Sequence, residues 1–322
     1  VVREVIERKI AVLICVWKAD RADFFSQALR SALRQTAKPG DVRVYLGVDG
    51  PVPREIDELI ASFSGEIHRI VRNPTNLGLA RTLNRLIDSL DDEEFVLRVD
   101  ADDVNAPDRV ARQIDLLERD PSLDLVGCQA TDIDGVGRVV GRRDYPLDHR
   151  AIVRAMRYLN PVVHPGWAVR RRVFAEMGLR YRDVHLTEDL DFLMQLVEAG
   201  GRLGNARERL VSVRFHDDFF ERRVSFRRGL AELRLYAAWT FRLDGLFSAA
   251  WPAVLARFLL RVIPGRMAAA FYRSSIRQRV VGRPLGALVA AGDGVGEPKH
   301  GRKYKSDSRH LYRELDQRVQ SD

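Results

Sequence analysis

Over its first hundred residues the chain alternates short apolar runs with helix-patterned segments, and few folds accommodate that alternation. Lys9 leads into Ile10-Ala11-Val12-Leu13-Ile14-Cys15-Val16, a continuous run that suits a strand covered on both faces. Residues 23–35 follow as a helix with Phe24, Ala28, Leu29, Ala32 and Leu33 on one side. Val42 to Val48 predicts a second strand, ended by the turn signal Asp49-Gly50-Pro51. Residues 54–63 predict a helix, Ile67 to Val71 a third strand, Leu79 to Leu90 a third helix and Phe95 to Val99 a fourth strand. Strand–helix units at this spacing predict an α/β fold built on an open parallel sheet. Ligands of such sheets bind beyond the carboxyl ends of the strands. Asp49, Asn76 and the acids at 100–103 fall at or just after strand ends, so they should share one rim.

Beyond residue 107 the pattern is mixed. Pro107 suits a helix start, Leu123 to Cys128 reads as a strand, 136–145 as an extended segment and 148–158 as a helix. Glu188 to Ala199 predicts a helix with Leu190, Leu193, Leu196 and Val197 inward, and Leu210 to Phe215 a last strand.

The fourth strand runs into Asp100, Asp102 and Asp103, carboxylates that repel one another unless something positive sits among them. Asp100-x-Asp102 places two hard oxygen ligands on one short turn, which suits Mg²⁺ or Mn²⁺ bound jointly with phosphate oxygens. The alternative is an acidic loop capping the helix after Pro107. A second acidic group, HLTEDLDF, has Thr187 positioned to N-cap a helix whose first turn carries Glu188 and Asp189. Either these acids only stabilise that helix terminus, or one carboxylate is a general base facing the same cleft. No G-x-G-x-x-G follows the first strand and no G-x-x-x-x-G-K-[ST] occurs, which argues against a dinucleotide oxidoreductase and a P-loop enzyme. Cys15 and Cys128 lie in apolar runs and read as reduced core residues of a cytoplasmic protein.

Seven segments in order carry a resemblance: ALRSALRQT, VDGPV, NPTNLGLARTLN, RVDADDVNAPDRVARQ, VVHPGWAVRR, LTEDLDF and VRFHDDFFERR. From about residue 10 to 223 the chain resembles the family 2 glycosyltransferases, and most of all bacterial members that build capsules, exopolysaccharides and O-antigens. The resemblance implies a GT-A fold, with a Rossmann-like, mostly parallel central sheet flanked by helices. It implies a catalytic domain over 1–220, with a nucleotide-sugar half to about 105 and an acceptor half over 106–220. It also implies roles. Val16, with Trp17, borders the nucleotide base, and Asp49 bonds the base or ribose. Asn76, Gly78 and Arg81 line the nucleotide pocket, with Gly78 permitting close backbone approach. Asp100 and Asp102 are the D-x-D pair; Asp102 contacts the metal directly, and Asp100 holds the ribose or a metal-bound water. Asp189 is the base, His216 a third metal ligand, and Arg222 and Arg223 neutralise diphosphate. His164, Trp167 and Glu188 fall on the acceptor side, although His164 also reads as a satisfied turn residue and Trp167 as core. The implied reaction is inverting and metal-dependent. It moves one sugar from a nucleotide-diphosphate sugar, a UDP-sugar above others, to a hydroxyl of a glycan or polyprenyl-diphosphate-linked acceptor. The absence of the processive Q-x-x-R-W signature points to single-sugar addition.

The net charge of +8 is concentrated late in the chain. Residues 1–220 hold 33 Lys/Arg against 36 Asp/Glu, whereas 221–322 hold 20 against 9. This tail reads as a second region, with 286–308 a mobile linker. Trp251, Val254, Leu255, Phe258, Leu259 and Val262 form an apolar stripe, with Arg257 and Arg261 on another face. Such a helix can lie in an anionic membrane interface through residues 245–283, or pack on protein. No recognised nucleic-acid module accompanies the charge, so nucleic acid is not an expected partner. The N-terminus does not read as a secretory signal and no apolar stretch is long enough to span a bilayer, which predicts a cytoplasmic protein peripheral to the inner membrane face. Two rivals remain. Asp100-Ala-Asp102-Asp103-Val104 fits the D-x-D-x-[TV] pattern of haloacid-dehalogenase-like phosphatases, although three strand–helix units precede it here. The other rival is a non-catalytic nucleotide-binding protein at the membrane.

Overall fold

The computed structural model describes residues 8–36, 40–184, 187–215 and 226–262. All of them belong to one compact unit, Val1–Ala290. Nine strands form one sheet: β1 Arg8–Trp17, β2 Gly40–Asp49, β3 Arg69–Arg72, β4 Phe95–Asp100, β5 Val104–Asn105, β6 Leu125–Ile133, β7 Val139–Arg143, β8 Ala168–Arg170 and β9 Leu203–Arg214. The spatial order is β3-β2-β1-β4-β8-β6-β9-β5, with β7 paired to β6.

The predicted parallel sheet is its first half. β3, β2, β1 and β4 are all parallel neighbours. Their side chains alternate: Ala11 and Leu13 face one core cluster, while Ile10, Val12, Ile14 and Val16 face the other. Burial on both faces is what an unbroken apolar run encodes. The second half is mixed. β8 runs antiparallel between β4 and β6, β9 lies parallel to β6, and β5 is a two-residue strand antiparallel to β9.

The helices α1 Ala22–Leu33, α2 Arg54–Ser62, α3 Leu79–Asp88, α4 Arg109–Arg119 and α7 Glu188–Glu198 fall within a few residues of their predicted places. So does the shorter α5, His149–Ala155. α6 Arg172–Ala175 and β8 were not legible, because each has too few residues to show a period. β9 begins seven residues before the predicted strand, since its first half includes the exposed run Glu208 and Arg209 and its pairing is interrupted by register shifts. Within 136–145, read as extended, Val139–Arg143 forms β7 and pairs antiparallel with the end of β6.

Two further helices, α8 Phe226–Asp244 and α9 Trp251–Val262, belong to the basic tail. Tyr236, Trp239 and Val254 are buried in the same cluster as Leu83, Trp167 and Phe192. The apolar stripe of α9 is therefore divided: Val254 packs inward, whereas Leu255 and Leu259 stay exposed. No helix among the described residues is long and apolar enough to cross a membrane. The proposed linker over 286–308 lies outside the described residues.

A polar strut crosses the interior beneath the sheet's carboxyl edge. Arg109, fully buried on α4, donates to Gln113 Oε1 at 2.9 Å and to the carbonyls of Arg98 and Trp167 at 3.0 Å each; it also bonds Asn105. Gln113 in turn donates to the carbonyl of Gly166 at 2.7 Å. This ties α4, β4 and the loop before β8 into one body. Arg109→Met should lower stability by about 3 kcal/mol in urea unfolding, because several buried carbonyls lose their donor at once.

Candidate active site

Four elements converge on the carboxyl edge of the parallel half. The first is the end of β4. Asp100, Asp102 and Asp103 each bring a carboxylate oxygen within 4.8 Å of the others. They do not cap a helix: α4 starts at Arg109, with Asp108 at its N-cap. Two buried arginines hold the turn instead. Arg98, two residues earlier on the same strand face, ion-pairs with Asp100. Arg214, at the end of β9, donates its backbone N–H to Asp103 Oδ1 at 2.8 Å and its Nε to the Asp102 carbonyl at 3.0 Å. Its guanidinium also bonds Gln27 at 2.9 Å and stacks 4.1 Å above the Phe24 ring, which anchors the turn to α1. Burial and the neighbouring carboxylates push the Asp103 carboxyl well above the usual range. Burial also raises Asp100; Arg98 opposes this, and Asp102 and Asp189 add to it.

The second element is the loop after β1. Asp20 accepts from Trp17 N at 2.9 Å, and burial, reinforced by Asp102 and Asp100, pushes it up to about 7. No spacing signal marks Asp20, and only its proximity to the acids does. Trp17 is 40% exposed at the strand end, whereas Val16 is 1% exposed and its side chain lies in the core on the α1 side. Alternation along β1 turns the Val16 side chain away from the rim, and Trp17 carries the accessible ring.

The third element is the β2 end with the loop before α3. Asp49 is buried and its carboxylate accepts from Asn73 at 2.9 Å, Leu77 N at 2.7 Å and Gly78 N at 2.9 Å. A carboxylate offers about four lone-pair sites. Asp49 spends three on the loop, so its structural task is to shape 73–78, and little acceptor capacity remains for a base or ribose. Gly50 has φ +85°, and a Cβ there would meet Asn76 N at 2.7 Å. Gly78 begins α3 with φ +88°, while nothing lies within 4 Å of where its Cβ would be. The positive φ is a backbone conformation that favours glycine. Asn76 is exposed on this loop, and Arg81, largely exposed, pairs with Asp183 at 2.9 Å.

The fourth element is the N-terminus of α7. Asp189 accepts from Asn160 Nδ2 at 2.7 Å and from Leu190 N at 2.7 Å, which fixes both carboxylate oxygens. Its charge adds to the rise of the Asp100 carboxyl. Glu188 is half-buried beside Asp189. Thr187 occupies the N-cap without a side-chain capping bond, contrary to the sequence expectation; its Oγ1 is buried without a partner.

Two acceptor-side expectations are corrected. Trp167 is wholly buried; its Nε1 donates to the Val162 carbonyl at 3.2 Å and its ring packs with Tyr181 and Phe192. It is core and not a platform for a sugar. His164, also buried, meets Tyr181 Oη at 3.0 Å and the Trp167 ring at 4.5 Å between centroids. Burial and Arg98 depress its pKa well below the ordinary value, so it is a neutral turn residue under the site. The short helical turn His164–Gly166 carries both rings inward. His216, Arg222 and Arg223 lie outside the described residues.

This geometry is that of a GT-A glycosyltransferase: a half-parallel sheet whose fourth strand delivers an acidic turn toward a carboxylate on a facing helix. The sequence profile described as glycosyl transferase family 2 matches residues 11–178, and the chain belongs to that family. It is an enzyme of the glycosyltransferase class. It is 26% identical over 70% of its length to the amylovoran biosynthesis glycosyltransferase AmsE of Erwinia amylovora, covering 84% of that protein. It is 22% identical over 84% of its length to the UDP-Gal:alpha-D-GlcNAc-diphosphoundecaprenol beta-1,3-galactosyltransferase of Escherichia coli, covering 97% of it. Among solved structures, TarS 1–349 of S. aureus in complex with UDP-GlcNAc superposes with a TM-score of 0.55 at 16% identity, over 87% of this chain and 77% of that one. The mannosyltransferase PcManGT of Pyrobaculum calidifontis, in complex with GDP-Man and Mn²⁺, does so with 0.54 at 17%, over 89% and 80%. The phosphatase pattern is thereby set aside, as the acids follow the fourth strand of a different fold.

Asp49→Ala should free the 73–78 loop. The expected result is a loss of about 2 kcal/mol in stability, from three donors left without their acceptor. Limited proteolysis should then cut first between 74 and 77.

Proposed function

We propose that this enzyme adds a single sugar, with inversion, from a nucleotide-diphosphate sugar to a hydroxyl of a glycan or polyprenyl-diphosphate-linked acceptor in bacterial surface polysaccharide synthesis. One observation carries this reading: the three clustered carboxylates at the end of β4 lie within electrostatic reach of Asp189, whose two oxygens are held in place. The relatives' names support it. One builds amylovoran, and another takes UDP-Gal and a lipid-diphosphate acceptor. A UDP-sugar is therefore our favoured donor, with GDP- and dTDP-sugars as the alternatives.

A divalent cation fits the residues present. Asp103 Oδ2 is buried and has no hydrogen-bond partner, in a cluster of hard oxygen ligands. Asp102, with Asp100 and Asp103 beside it, would hold Mn²⁺ or Mg²⁺, and His216 would be a further ligand. When bound, the cation neutralises charge developing on the leaving diphosphate. The protein's own residues do the rest. Trp17 offers a ring to the base, and Asn76, Gly78 and Arg81 line the pocket whose backbone Asp49 shapes. Arg222 and Arg223 add positive charge at the diphosphate. Asp189 takes the proton from the acceptor hydroxyl. That oxygen forms a bond to the anomeric carbon as the carbon–phosphate-oxygen bond breaks, and the nucleoside diphosphate leaves with the electron pair. Asn160 keeps Asp189 pointed at the acceptor during this exchange.

We further assign the catalytic domain to 1–220 and an anionic membrane surface to the basic tail. Phe241, Leu246, Phe247, Leu255 and Leu259 are exposed around the α8–α9 corner. From Gly245 to Ala291 the chain has seven arginines and no acid. Apolar insertion with basic flanks is how a peripheral protein holds anionic lipid, and it would bring the site to a lipid-linked acceptor. The enzyme would then work at the cytoplasmic face of the membrane.

A thermal-shift screen of UDP, dTDP, GDP and CDP, each with and without Mn²⁺, tests the donor site. One nucleotide should stabilise the protein, and only with the cation. No cation-assisted stabilisation by any of the four would refute the reading. Asp189→Asn should lower turnover by about 10³-fold while leaving nucleotide affinity within a factor of about three, as expected for loss of a general base. Replacing Leu246 and Phe247 together by Asp should abolish the wild type's co-sedimentation with phosphatidylglycerol vesicles and leave the fold unchanged; a wild type that does not co-sediment would point to protein packing instead.

A further inference from the structure

We propose that Arg98 is a built-in competitor for the divalent cation: it suppresses metal uptake by the nucleotide-free protein and so makes cation and nucleotide diphosphate bind together. This deepens the transferase reading and rests on its cation site.

The argument starts from where Arg98 sits. β4 alternates faces, so Arg98 and Asp100 lie on the same side, with Val99 turned into the opposite core. The Arg98 side chain is 5% exposed, against 36% for Asp100. A guanidinium keeps its charge even when buried, so this cation is permanent. Its environment offers little else to bind. Nε and Nη1 are buried with no hydrogen-bond partner, and around them lie Cys15, His164 and Tyr181, none of them anionic here. Burial raises both the Cys15 thiol and the Tyr181 phenol, which keeps them protonated. All the directed polar attraction of Arg98 is thus concentrated on one oxygen of Asp100 through Nη2.

A structural counter-ion is normally woven into a network, as Arg109 and Arg214 are. Arg98 is not, and leaving two donors unsatisfied costs stability. What that cost achieves is local. The pair occupies Asp100 Oδ1 and leaves its other oxygen for a ligand. It also places a positive charge close to the spot where the carboxylates would take a second one. Repulsion between charges so close in a half-buried site amounts to kilocalories. A nucleotide diphosphate brings further oxygen ligands and negative charge of its own, which offsets the repulsion. Binding of either ligand then favours the other, and by linkage the coupling is reciprocal.

The test is a Mn²⁺ titration of the full chain without nucleotide, followed by the electron paramagnetic resonance of free Mn²⁺. The proteins are the wild type, Arg98→Met, Arg98→Gln and Arg98→Lys. Asp102→Asn reports which binding belongs to this site. The two neutral variants should bind Mn²⁺ at least about tenfold more tightly than the wild type, as removal of a nearby like charge predicts. The lysine variant should stay within about threefold of the wild type because its charge remains. Repeating the titration with UDP, GDP and dTDP should show a smaller nucleotide enhancement in the neutral variants. Both neutral variants should melt below the cation-free wild type, because Asp100 loses its counter-ion, and saturating Mn²⁺ should raise their melting temperatures by more than it raises the wild type's. If both neutral variants bind Mn²⁺ no more tightly than the wild type, Arg98 is not a competitor and the proposal falls. If the wild type binds Mn²⁺ but no nucleotide strengthens it, the transferase reading fails, while the Mn²⁺-only comparison still decides the effect of Arg98 on the metal.

Discussion

Three carboxylates crowd the end of a buried strand, and the active-site edge depends on how that charge is held. Two buried guanidiniums hold it. Arg98 pairs with Asp100 from below, and Arg214 grips the Asp102–Asp103 turn from the far end of β9. The Arg214 contacts connect the halves of the sheet, since Arg214 belongs to the mixed half and the acidic turn leaves the parallel half, whereas the Arg98 pair lies within β4. The acidic turn is consequently a joint between the halves as well as a ligand set. Like charges brought this close in a half-buried setting repel, and the two guanidiniums offset part of that repulsion.

The rest of the site is organised by polar groups that face inward. Asp49 shapes the 73–78 loop through three hydrogen bonds, and Arg109 and Gln113 bridge α4 to β4 and to the loop that precedes β8. Beneath Asp189 and Arg98 lies an aromatic floor of His164, Trp167, Tyr181 and Phe192. The floor is apolar enough to keep His164 neutral, so the charged chemistry is confined to the rim above it. Rigid support from below suits a site whose carboxylates must keep their geometry while ligands come and go.

Much of this was legible before any coordinates. β1 announced itself because both its faces are buried, which produces an unbroken apolar run, and β2 and β4 carry the same pattern interrupted only by Arg43 and Arg98. Asp49, Asn76 and the 100–103 acids fell on one rim because open α/β sheets put their ligand sites beyond strand ends. Val16, His164 and Trp167 lie at the right place along the chain but point inward, and the direction of one side chain follows from strand register and from a three-residue turn. β8, three residues long, leaves no periodicity to detect. Asp20 lies in no motif, and Arg214, although inside VRFHDDFFERR, shows its role only in the fold.

What the chain determined alone is local and periodic: the order of strands and helices, the family to which its motifs belong, and the points where acids leave the sheet. Such features depend on neighbours within a few residues, so they can be read along a line. Only the tertiary structure decided which charges are buried and which partner each one meets. Arg98 in an apolar run and Arg109 on an ordinary helix look unremarkable as letters. Their roles arise when segments tens of residues apart exclude water around them, because desolvation is a property of the surroundings and not of the residue.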